Sequence, residues 1–78
     1  MSNAFLGIDT GSISTKGVII LPDGTIVARS YLWTEGNPTD AARRVVEDLK
    51  SQINTEEINV VAVGATGSAR RLVGSILD

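Results

Sequence analysis

The chain has 78 residues, 42% hydrophobic and 21% charged, with eight glycines, which is the composition of one small globular domain or a piece of a larger one rather than of a disordered segment. Seven Lys and Arg stand against nine Asp and Glu, and the sole basic doublets are Arg43-Arg44 and Arg70-Arg71, so the concentrated positive surface that nucleic acid requires is missing. Cysteine and histidine are absent, which excludes disulfides and any thiolate or imidazole metal site within the chain and leaves hard cations held by oxygen, above all magnesium accompanying a phosphate.

In chain order, Phe5-Leu6-Gly7-Ile8-Asp9 is a short apolar run ending in a carboxylate, followed by Thr10-Gly11-Ser12. This pattern predicts a buried strand and a tight polar turn. Residues 16–21 (Lys-Gly-Val-Ile-Ile-Leu) predict a second strand, and Pro22-Asp23-Gly24 a turn in which proline presets φ and glycine supplies the positive φ that follows. Residues 25–34, with Ile26, Ala28 and Tyr31, alternate loosely and predict a third strand completing an antiparallel meander. Asn37-Pro38 opens a helix: asparagine caps it, proline suits its first position and Asp40 adds negative charge to the first turn. Ala42, Val45, Val46, Leu49 and Ile53 form its apolar stripe, with Arg43, Arg44, Glu47, Asp48 and Lys50 opposite. Residues 58–65 (Ile-Asn-Val-Val-Ala-Val-Gly-Ala) are almost continuously apolar, as in a central parallel strand buried on both faces. From Ala69 a helical pattern restarts through Leu72, Val73, Ile76 and Leu77. The order is β-β-β-α-β-α, an α/β lobe with a mixed sheet whose fourth strand runs parallel to the first. No apolar run approaches the ~20 residues of a membrane span and no signal peptide is visible, so the expected compartment is the cytoplasm.

Two segments carry candidate chemistry. The first is the turn from Asp9 to Lys16. Gly11 lets a backbone approach an anion closely, Ser12, Ser14 and Thr15 add hydroxyl donors, and Lys16 brings a point charge. Asp9 would repel bare phosphate and makes sense with magnesium between the two. A plain hairpin turn favours the same residue types. The second segment is Thr66-Gly67-Ser68 with Arg70, at the carboxyl end of the fourth strand and the start of a helix, where free amides and the helix dipole favour an anion. A simple cap by Thr66 or Ser68, with Arg70 in solvent, is the competing account. Tyr31 and Trp33 are expected to be packing residues rather than base-stacking ones.

The stretch Gly7-Ile8-Asp9-Thr10-Gly11-Ser12, with Ser14-Thr15-Lys16-Gly17-Val18, resembles the first phosphate loop of the actin, sugar-kinase and heat-shock ATPase superfamily. It is not a Walker loop. Residues 63–74, which include Thr66-Gly67-Ser68-Ala69-Arg70, and Gly36-Asn37-Pro38 look like segments of the activators of 2-hydroxyacyl-CoA dehydratases and the ATPase subunits of benzoyl-CoA reductases. Ala69 departs from that pattern, standing where glycine is expected. The resemblance covers residues 5–78 and implies the truncated first lobe of a ribonuclease-H-like, actin-like ATPase domain, inactive alone. It implies ATP and Mg2+ as ligands, with Asp9, Gly11, Ser12 and Lys16 on the phosphate loop, Asp9 at the metal, and Thr66, Gly67, Ser68 and Arg70 in the second segment. It further implies a homodimeric full-length protein that shares an iron–sulfur cluster, whose cysteines would lie beyond this segment, and that passes electrons to an acyl-CoA dehydratase or reductase. A small-molecule kinase of the same superfamily, or a domain of that fold without catalysis, would share the first loop.

Overall fold

A computed structural model describes residues 2–67, in which β1 (Ser2–Thr10), β2 (Ser14–Ile20), β3 (Ile26–Trp33), α1 (Pro38–Ser51) and β4 (Ile58–Gly67) follow one another. The sheet order is β3-β2-β1-β4. β1, β2 and β3 form the expected antiparallel meander, and β4 lies parallel beside β1. The chain is thus a small α/β structure with a mixed sheet. The expected second helix, with Ser68 and Arg70, lies outside the described residues. No helix among them is long and apolar enough to cross a membrane.

Local chemistry explains the joints. Gly24 has φ of +91°, its N–H donates to the Leu21 carbonyl at 2.9 Å, and the Asp23 carboxylate accepts from the Thr25 N–H at 2.9 Å. That last bond holds the Asp23 carboxyl below its ordinary pKa. At the start of α1, the Asn37 side chain accepts from the Asp40 N–H at 3.0 Å, with Pro38 in the first turn. Asn37→Ala should therefore cost about 1 kcal/mol in urea unfolding, and an unchanged midpoint would show that this cap is dispensable.

Among the described residues packing is one-sided. Ala42, Val45, Val46 and Leu49 of α1 bury themselves against Ala4, Leu6, Ile8, Ile19 and Ala28 of β1, β2 and β3. Gly17 lets the helix sit directly on the sheet, since a Cβ there would lie 2.6 Å from Val45 Cγ1 and 2.8 Å from Leu49 Cδ1. The opposite face carries Phe5, Tyr31 and Trp33, all exposed. Tyr31 and Trp33 do pack, but on each other, edge to face with centroids 6.0 Å apart. They stand on the face that α1 does not reach.

Two expectations are corrected. β1 begins at Ser2 rather than Phe5, because the Ser2 N–H donates to the Glu57 carbonyl at 2.7 Å and Ala4 belongs to the core. β4 is not a central strand buried on both faces: among the described residues it is an edge, with Val61 49% and Val63 40% exposed. The physical reason is the reach of α1, which contacts β1, β2 and β3 but not β4. The other edge, β3, is blocked at one residue. Gln52, just after α1, accepts from the Arg29 N–H at 3.2 Å and donates to the Arg29 carbonyl at 2.7 Å, taking the place of a neighbouring strand on β3.

Candidate functional site

β1, β3 and β4 all finish at one end of the sheet, β2 starts there, and α1 begins there. Open sheets gather ligands at such carboxyl ends. Register brings the sequence candidates together. Asp9 is level with Thr66 on the parallel neighbour and opposite Lys16 on the antiparallel one, and Lys16 is opposite Tyr31 in turn. One row across four strands thus reads Thr66, Asp9, Lys16, Tyr31. Cross-strand neighbours of this kind have Cβ atoms roughly 5 Å apart, close enough for Asp9 and Lys16 to share a ligand.

Asp9 and Lys16 are exposed, on the face away from α1, and they border an open hollow of about 540 Å³. Gly7 and Gly64, level with each other one row down, form part of its lining, and among the described residues, its chain neighbours aside, no atom lies within 4 Å of where a Gly64 Cβ would be. The chemistry at the rim is a carboxylate and an ammonium beside a loop of small residues. Such a set suits a phosphate with a hard cation. Among the described residues no three acidic, His or Cys side chains cluster, so a cation here would take its remaining ligands from phosphate and water, as magnesium does.

The loop itself is tight. The Gly11 N–H donates to the Ser14 carbonyl at 2.9 Å, leaving Ser12 and Ile13 at an exposed tip. A Cβ on Gly11 would meet the Ser14 oxygen at 2.9 Å, so hairpin closure alone demands glycine here, whatever the loop binds. Thr15 is not brought to the same surface as Lys16. It is fully buried on the helix side, and its hydroxyl lies 2.9 Å from that of Thr34. Beside it Thr10 is 5% exposed, with an Oγ1 that has no hydrogen-bond partner among the described residues.

Thr34 is the site residue that sequence reasoning missed. Its hydroxyl donates to the Gly11 carbonyl at 2.8 Å and its N–H to the Ile13 carbonyl at 2.8 Å. Only the position of Thr34 between an alternating strand and a helix cap was visible in the sequence, and that position does not reveal these contacts. A scan of the chain against protein-family models returns no match, and neither does a search of the curated proteins.

Proposed function

We propose that the chain is the ATP-binding lobe of an actin-like ATPase, of the kind that activates a 2-hydroxyacyl-CoA dehydratase or benzoyl-CoA reductase by ATP-driven electron transfer. The observation that carries this reading is the convergence of Asp9, Thr66 and Lys16 on one row at the carboxyl ends of parallel strands, beside the Gly11–Ser14 turn. In this reading Lys16 and the loop hold the phosphates of ATP, and Asp9 holds Mg2+ directly or through water. The bound group supplies the phosphoanhydride whose hydrolysis drives the partner, and the lobe orients it. The partner is an acyl-CoA dehydratase or reductase, met by a homodimer of the full-length protein, whose iron–sulfur cluster would take no ligand from this cysteine-free chain.

The test is titration of the chain with MgATP, followed by the fluorescence of Trp33, the single tryptophan. Saturable binding is expected, weakened about 10-fold or more by Lys16→Ala and by Asp9→Asn, the usual cost of losing one charge-assisted contact. Absence of saturation up to about 10 mM, weaker than roughly 3 kcal/mol of binding, would sink the proposal. Transfer of phosphate to a hydroxylated small molecule instead of water, by a protein carrying this lobe, would turn the reading towards a kinase.

A further inference from the structure

We infer that Thr34 is the positioning residue of the Gly11–Ser14 loop, and that its hydroxyl sets the direction in which the Ser12 amide is presented to an anionic phosphate. The anion half of this inference rests on the proposed function. The loop half rests on geometry alone.

Thr34 is 3% exposed and its polar groups are all engaged. A threonine hydroxyl has one proton, and here it goes to the Gly11 carbonyl at 2.8 Å. The 2.9 Å contact with Thr15 must then run the other way, with Thr15 as donor. The result is a directed chain from the Thr15 hydroxyl through Thr34 to the Gly11 carbonyl, in which each bond polarises the next. The Thr34 N–H fastens the Ile13 carbonyl at 2.8 Å, and the Thr34 carbonyl accepts from the Asn37 N–H at 3.1 Å. Glu35 and Gly36, with φ of +53° and +74°, make the left-handed turn that lets one residue bond the loop on one side and the helix cap on the other.

The consequence follows from peptide geometry. The bond between Gly11 and Ser12 is trans, so the Gly11 carbonyl and the Ser12 N–H point in opposite directions. Tying the carbonyl to a buried hydroxyl turns the Ser12 N–H the other way, at an exposed tip. Without that tie the peptide plane can rotate and the donor is lost to the ligand. Thr34 touches no ligand itself. It acts through the Gly11–Ser12 peptide.

The experiment compares the 78-residue chain with Thr34→Val, which keeps shape but loses the hydroxyl, and Thr34→Ser, which keeps the hydroxyl. Thr34→Val is expected to move the Gly11 carbonyl and Ser12 amide NMR resonances, leave those of Leu6 and Ile19 in place, and weaken MgATP about 10-fold. Thr34→Ser should stay close to wild type in both respects. Unchanged Gly11 and Ser12 resonances in Thr34→Val would overturn the inference, and so would equal weakening in Thr34→Ser. If wild type binds no MgATP, the phosphate reading fails by itself while the Ser12 resonance still decides whether Thr34 positions the loop. Should Thr34→Val not fold, the wild-type hydroxyl proton of Thr34 decides. It should exchange slowly enough to be observed and lie close to Gly11, and a rapidly exchanging proton would overturn the assignment.

Discussion

Leu49→Ala is expected to leave the chain largely unfolded at 37 °C. Leu49 is fully buried, in a core of one helix stripe against three strands. Truncating such a leucine costs about 2–5 kcal/mol, because transfer free energy is lost and a cavity remains. Chains of this length rarely hold more than about 3–5 kcal/mol in total from one core. The substitution therefore competes with the whole stability of the molecule. Urea unfolding followed by far-ultraviolet circular dichroism would show the midpoint collapsing towards zero. A loss below about 1 kcal/mol would mean that the site closes up, or that α1 is not seated on the sheet as described.

Gly17→Ala tests the same contact from the other side, by adding volume instead of removing it. Alanine ordinarily suits a folded strand better than glycine, by roughly 0.5–1 kcal/mol of chain entropy. Here the new methyl would stand 2.6 Å from Val45 and 2.8 Å from Leu49, both fully buried. Overpacking of this kind costs about 1–3 kcal/mol, so the clash outweighs the entropic gain, and Gly17→Val should be worse still. Gly64→Ala is the contrasting case, since among the described residues, its chain neighbours aside, its Cβ meets no atom within 4 Å. It should be neutral or slightly stabilising. A Gly17→Ala protein as stable as Gly64→Ala would show that α1 can lift off the sheet at no cost.

These contrasts mark what sequence could and could not supply. Asn37-Pro38 and Pro22-Asp23-Gly24 were legible because their bonds are local: Asp40 to Asn37, Thr25 to Asp23, Gly24 to Leu21. The stripe of α1 was legible from Ala42 to Leu49 because its period is intrinsic to the helix, whereas Ile53, expected to continue it, lies past Ser51 where the helix ends and packs on the core from beyond it. The pairing of Asp9 with Thr66 followed from a fourth strand parallel to the first, which topology rules favour. Thr34 was hidden because its hydroxyl partners stand 19 and 23 residues away, and nothing in a threonine at a strand end announces them. The burial of Thr15 was missed for a related reason. Alternation along β2 sends Thr15 and Lys16 to opposite faces, so a run of adjacent polar residues does not form one shared surface. The edge position of β4 among the described residues was illegible in principle, since a continuous apolar run states a demand for cover without naming what provides it.

The Gln52 amide on β3 bears on how copies of this sheet can meet. Backbone groups along an open margin are templates for another strand, and long, uncharged margins are the most adhesive. On β3 the amide occupies the template at Arg29, and arginine itself sets a charge there. β4, from Ile58 to Gly67, contains neither a charge nor a proline, and among the described residues nothing occupies its outer margin. Endless cross-β growth needs a receptive margin on both sides of every unit, as a zip needs two rows of teeth. Among the described residues β3 is blocked at Arg29 alone and β4 is not blocked, so the two margins are unequal and β4 is the side where mispairing is expected.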